Sequence, residues 1–188
     1  MKNNTRGQME MSVGTIVTIV LLVTLLILGV VLIKNIFSSA KGVVDLTDTQ
    51  LRSEINKLFS DDTKVSIYPS TRLVEIKQEE RDGVAIGIQN LLTGSLAETT
   101  FSYAVTATDV DSLTKCGISK EEAENWITTG GRGSNIQIPS GEISTQRILF
   151  EIPSGAPLCT IRYVVNVYYG NGKAYAPSDS FDVTVKAK

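Results

Sequence analysis

The sequence predicts the α+β class: one long N-terminal α-helix, transmembrane or stem-forming, followed by an antiparallel β-sandwich with one helical insertion. Three observations carry this. Residues Met11 to Ile33, MSVGTIVTIVLLVTLLILGVVLI, run for twenty-three positions without a charge. From Thr63 onward β-branched residues alternate with polar ones, the period of a half-buried strand. The five prolines fall at or beyond the ends of those alternating runs, where a missing amide is tolerated. The chain divides accordingly into a leader (1–10), an apolar helix (11–33), an amphipathic stem helix (34–62) and a sandwich (63–188).

The apolar run sets the environment. At about 1.5 Å per residue its helix is about 35 Å long, enough to cross a hydrocarbon core of about 30 Å. Ser12, Thr15, Thr18 and Thr24 can return their hydroxyls to the helix backbone, and lipid offers them no other partner. A buried helix in a soluble protein normally has a shorter apolar run, of about 10–14 residues. Membrane lipid is therefore the first expected partner. Lys2 and Arg6 precede the run, whereas Lys34 and Lys41 follow it together with Asp45 and Asp48. That slight bias places the N-terminus inside and the sandwich outside. Three processing readings fit the leader. Without a cut the chain is a single-pass anchor; a cut after Ser38-Ser39-Ala40 releases a soluble domain. The third rests on a resemblance.

Arg6-Gly7-Gln8 and, almost at once, a long apolar helix resemble the prepilin-type signal of archaeal type IV pilins. The resemblance implies that a dedicated peptidase cuts between Gly7 and Gln8 and leaves the apolar segment on the mature chain. It also implies self-association of copies through that helix into a filament. The family often carries a glutamate at the fifth mature position, where this chain has Ser12; Glu10 stands at the third. On this resemblance Glu10, Ile16, Leu22 and Leu26 are the expected assembly residues.

Beyond the apolar run, Ile36, Ala40, Val43, Thr47, Leu51, Ile55 and Leu58 recur at steps of three and four, one apolar stripe down a helix. Asp48 and Arg52 sit i, i+4 on its wetter side. An unbroken helix here resembles the pilin stem, whose second half packs on the subunit's own β domain. A rival reading uses the same residues. Gly42 weakens a helix interior by about 1 kcal/mol, and Thr47-Asp48-Thr49-Gln50 has the spacing of a capping box. A second helix can start there, with 41–46 as a hinge. The continuous stem is the expectation.

Candidate strands are 64–68, 72–77, 84–89, 99–108, 135–138, 145–152, 160–169 and 181–186. Gly170-Asn171-Gly172 reads as a hairpin turn. Seven or eight short strands in about 125 residues indicate an Ig-like sandwich. The runs GVAIGIQN, IPSG, QRILFEIPSGAP, RYVVNVYY and FDVTV resemble Ig-like domains of prokaryotic surface proteins, where such segments form the B, E, F and G strands. One insertion interrupts the pattern, from Asp109 to Ser134. Within it Ser119-Lys120-Glu121-Glu122 starts a short helix that ends near Trp126, a residue that caps the sandwich or stands exposed. Cys116 and Cys159 read as one disulfide, which implies an oxidising exterior; two separate buried thiols are the alternative. Such a bond closes about 44 residues and contributes on the order of 4 kcal/mol. The tip Thr129-Gly130-Gly131-Arg132-Gly133-Ser134 is expected to be the most flexible stretch and a place for a partner contact.

Composition excludes much chemistry. The chain has 18 basic and 20 acidic residues, so no basic field suggests nucleic acid. With no histidine, Ser–His and Cys–His nucleophiles are ruled out. Asp109-Val110-Asp111-Ser112 begins like a calcium loop yet lacks its glycine and closing glutamate. TGGRGS lacks the lysine of a phosphate-binding loop. No cofactor, metal or catalytic residue is expected, and the chain does not read as an enzyme. The one Asn-x-Ser/Thr site, Asn3-Asn4-Thr5, falls on the inner side. The expected function is structural: a type IV pilus-like filament subunit that displays its sandwich for adhesion or shielding. The alternative is a single-pass cell-surface protein that does not polymerise and binds an envelope partner.

Overall fold

The computed structural model describes residues 6–38, 42–93, 99–108 and 110–188, with the backbone alone for 6–13, 32–38 and 110–112. The chain forms two compact units, Met1–Lys41 and Gly42–Lys188. The first contains the helix α1 (Arg6–Ser38), continuous over 33 residues.

The second unit begins earlier than Thr63, because the stretch expected as a stem (34–62) is not one helix. Gly42, Leu46 and Thr47 have extended backbone, with ψ of 148°, 135° and 160°, around a single 3-10 turn, Val43–Asp45. Helix resumes as α2 (Asp48–Asn56). The rival reading explains the break. The Thr47 hydroxyl accepts from the Gln50 amide at 3.3 Å, and the Gln50 side chain accepts from the Thr47 amide at 3.1 Å. An N-cap satisfies the first turn only if its own backbone is extended, so a helix cannot run through Thr47.

Among the described residues, ten strands follow. They are β1 (Val65–Tyr68), β2 (Leu73–Lys77), β3 (Arg81–Gln89), β4 (Thr100–Ala107), β5 (Ile127–Thr129), β6 (Arg132–Gln137), β7 (Ile143–Glu151), β8 (Thr160–Tyr169), β9 (Lys173–Ala174) and β10 (Asp179–Lys186). One sheet has the order β1-β3-β7-β5; the other is β2-β10-β8-β4-β6, with β9 added to β8. All pairs are antiparallel except β2 with β10. This is the expected Ig-like sandwich. The motifs assigned to B and E are neighbours, β3 and β7, and those assigned to F and G are β8 and β10. Between the sheets lies the main core, centred on Ile86, Ile148, Phe150, Tyr163, Phe181 and Val183, all at most 1% exposed.

The central strand β3 is buried on both faces. Val84, Ile86 and Ile88 point into the main core, while Ala85 joins a second, smaller core with Val43, Leu46, Leu51 and Ile55. Gly83 and Gly87 alternate with Ala85, and a side chain on Gly87 would run into Ile55 and Phe59. Ala85 and Gly87 let α2 lie directly on the sheet, whereas a side chain on Gly83 would collide with the Ile148 carbonyl of β7. Nine residues are too few to hold a helix in water, so this packing sustains it. Burying Leu51 and Ile55 contributes about 1.5–3 kcal/mol each, and the Thr47 cap about 1 kcal/mol.

The insertion contains α3 (Val110–Cys116) and α4 (Lys120–Asn125). Ser119 caps α4 by accepting from the Glu122 amide at 3.1 Å. Cys116 and Cys159 form the disulfide, which fastens α3 beside β8. Tyr163 fastens α4, because its hydroxyl donates to the Ala123 carbonyl at 2.8 Å. Burial, helped by nearby Glu124, holds that hydroxyl well above the usual tyrosine range, so it remains a donor. Trp126 is 4% exposed and caps the core.

The expected flexible tip is instead a crossing between sheets. β5 ends at Thr129 on one sheet, β6 starts at Arg132 on the other, and Gly130-Gly131 carries the chain across. Gly130 has φ of 74°, and a side chain there would collide with the Arg147 carbonyl. Only glycine satisfies both demands. On the opposite side the chain makes the same transition between β1 and β2.

Two outcomes follow. Gly87→Val should lower unfolding stability by about 1–3 kcal/mol through overpacking against α2, measured by denaturant titration. A Cys116→Ser, Cys159→Ser double variant should lose about 2–5 kcal/mol, read as a lower melting temperature.

Candidate functional site

The candidate surface is the apolar helix. From Ile16 to Val31 every large apolar side chain is at least 48% exposed. The polar groups are closed internally: the Thr18 hydroxyl donates to the Gly14 carbonyl at 2.7 Å and that of Thr24 to Val20 at 2.9 Å. What remains facing outward is hydrocarbon on all sides. Gly14–Val31 is long and apolar enough to cross a membrane, by length and composition. A helix apolar around its full circumference requires lipid or other protein on every side.

Of the expected assembly residues, Ile16, Leu22 and Leu26 are 60, 62 and 67% exposed. Leu22 and Leu26 share a face one turn apart, and Ile16 lies roughly 80° from Leu26 around the axis. Their neighbours are equally bare, so the structure does not single them out. Gly7, Gln8 and Glu10 fall in the first turns of α1, and their side chains lie outside the described residues. One segregation went unread in the sequence. Ile16, Val17, Val20, Val23, Ile27 and Val31 occupy one half of the circumference, with Gly14, Thr18, Leu21, Leu25 and Gly29 on the other. Branched Ile and Val side chains thus face one way, and Gly, Thr and Leu the other.

A second arrangement, also unread, holds residues 42–48 to the sandwich. The Asp82 carboxylate accepts from the amides of Val43 and Val44 and from the Gly83 amide, the last at 2.8 Å. Arg147 reaches over from the neighbouring strand: Nη2 donates to the Leu46 carbonyl at 2.6 Å and to Asp48 Oδ1 at 2.8 Å. The planar guanidinium suits this double role better than a lysine. Burial raises the Asp82 pKa above its ordinary value, and Asp45 adds to that, although the three amides oppose it.

Elsewhere the surface of the described residues offers little chemistry. A cleft beside Trp126 is lined by Glu79, Glu122 and Glu151. Glu79 pairs with Lys188 and Glu151 with Arg81, and the Trp126 ring is buried rather than presented. Among the described residues no three His, Cys, Asp or Glu side chains converge as metal ligands. Contrary to the expectation that no Ser-x-x-Lys occurs, Ser112-Leu113-Thr114-Lys115 has that spacing, on a helix where Lys115 stands exposed.

No protein-family model and no curated protein matches the chain in sequence. Solved structures align with part of the chain at low similarity. A family 123 glycoside hydrolase from Clostridium perfringens aligns at 11% identity and a TM-score of 0.40, covering 62% of this chain and 22% of its own. The periplasmic chaperone SfaE aligns at 10% identity and 0.40, covering 66% of this chain and 57% of its own. Self-complemented MyfA, the major subunit of Myf fimbriae from Yersinia enterocolitica, aligns at 8% and 0.37, covering 67% and 99%. The chain thus spans less than two thirds of the first two. Likeness of this degree says nothing about activity or assembly.

Asp82 generates a pH expectation. With its folded pKa raised, its contribution to stability is fully present below 3.8, the ordinary value, and is lost as pH rises through the folded one. Asp82→Asn removes that dependence. The melting temperature of the variant relative to wild type should be more favourable at pH 7 than at pH 3.5, by thermal unfolding at both.

Proposed function

We propose that this chain is a structural subunit of an extracellular, archaeal type IV pilus-like filament. The apolar helix would pack with copies of itself, and the Ig-like sandwich would be displayed for adhesion or surface shielding. The observation that carries the reading is the helix between Ile16 and Val31, bare hydrocarbon on every side and attached to a domain with closed cores of its own. A domain that is complete without the helix leaves it free for lipid before assembly and for other copies after it. The leader resemblance at Gly7-Gln8 supports the same reading. Its partners are membrane lipid, further copies of the chain and a cell-envelope surface, with no nucleic acid and no enzymatic reaction.

The alternative is a single-pass surface protein that never polymerises. It draws on the same bare circumference, which lipid alone can cover, and on Ser12 at the fifth mature position.

Intact mass and the N-terminal peptide of the protein from its own cells separate these readings. A chain starting at Gln8 is expected; one starting at Met1 leaves an anchor, and one starting at Lys41 leaves a secreted domain. Ile16→Lys places a charge in the proposed core at a cost of about 2.5–3.5 kcal/mol in a membrane setting. Filaments should be absent from cells carrying it, counted by electron microscopy. Normal filament yield would overturn the core role of the helix.

A further inference from the structure

Residues 42–62 lie on the sandwich without belonging to either sheet. We propose that this segment is a peelable strap: a pull arriving at Gly42 detaches it contact by contact, lengthening the connection while both sheets stay closed.

The argument is one of direction. Gly42 sits against Asp82 at the start of β3. Leu46 and Asp48 are held by Arg147, which lies opposite Ala85 at the middle of β3. Ile55 and Phe59 cover Gly87, and the Lys64 carbonyl accepts from the Gln89 amide at its end. The strap thus advances along β3 in step with it, and the chain then turns back as β1, with Val65 opposite Ile88 and Tyr68 opposite Ala85. Tension on Gly42 meets these contacts in succession. Among the described residues, backbone–backbone hydrogen bonds of 42–59 close within the segment, as between Asp45 and Gly42 or Leu58 and Ile55. Side chains alone bind it to the sheet, chiefly through Asp82 and Arg147.

The last strand is loaded differently. β10 runs parallel to β2 with five residue pairs, from Asp182 opposite Leu73 to Lys186 opposite Lys77. A force drawing their opposite ends apart is shared by the whole ladder at once. Bonds loaded together outlast bonds loaded singly, so the strap yields first. Segments with few backbone ties are also those that open locally in the native state. The origin of the pull rests on the anchored or filamentous reading, since only a held helix transmits force to Gly42; the measurement does not need it.

The test is single-molecule pulling on the oxidised full chain in detergent, with one handle on a Lys41→Cys variant and the other at the C-terminus. The expected record has a low-force event lengthening the chain by at most about 70 Å, the reach of residues 42–62, before the sandwich unfolds. Arg147→Ala should lower the force of that event and leave the later one unchanged. Should that variant not fold, Arg147→Lys, which keeps the charge facing Asp48 but loses the fork, is read in the same way. A single combined event, a first event indifferent to Arg147, or equal shifts in both would overturn the strap. An unprocessed leader in cells would overturn the filament and leave these force records as they are.

Discussion

The double burial of β3 is the constraint on which the rest of the unit depends. A strand covered on both faces needs two cores, and the residues GVAIGIQ provide for both by alternating large with small. Val84, Ile86 and Ile88 meet the opposing sheet, while Ala85 and Gly87 leave a shallow track outside. Only a flat track admits a helix at contact distance, and only a helix with apolar residues at α2 spacing fills it. The strand, the helix and the break that frees the helix from α1 are therefore one design. Were Gly87 larger, its side chain would press against Ile55 and Phe59 and strain the seat of α2.

The insertion obeys a related logic on the other sheet. Two helices of seven and six residues cannot stand alone, and each is tied to β8 by a different kind of bond. The disulfide holds α3 covalently, and the Tyr163 hydroxyl holds α4 by a buried hydrogen bond. Trp126 then closes the end of the core. A small amount of local hydrophobic surface is thus compensated by fixed links to a strand that is itself central.

Most strands were legible because period-two alternation with β-branched residues is a local signal, and the terminating prolines sharpen it. The misses have causes of two kinds, local and distant. β5 and β9, three and two residues long, are too short to show a period. Gly130-Gly131 reads as flexibility in sequence, whereas its requirement comes from the Arg147 carbonyl, far off in the chain. At the stem, Val43, Leu51 and Ile55 of the expected apolar stripe are buried while its Thr47 is exposed, and stripe continuity outweighed the capping box at Thr47. The cap prevails because it stops the backbone outright, while a stripe resumes equally well after a break. Of the helix surface, length and apolarity were plain from the sequence. The hold of Asp82 and Arg147 on residues 42–48 was not, since it joins positions many residues apart.

The chain crosses from one sheet to the other at both lateral margins, between β1 and β2 and again between β5 and β6. All four margin strands are short, from three to six residues. A sandwich laced along both seams presents little open ladder to a neighbour, and edge-to-edge strand addition, the ordinary route from β-rich surfaces to aggregates, has no long template. Such domains tolerate crowding. Many copies held side by side would remain separate particles, and any order among them would have to be imposed from elsewhere in the chain.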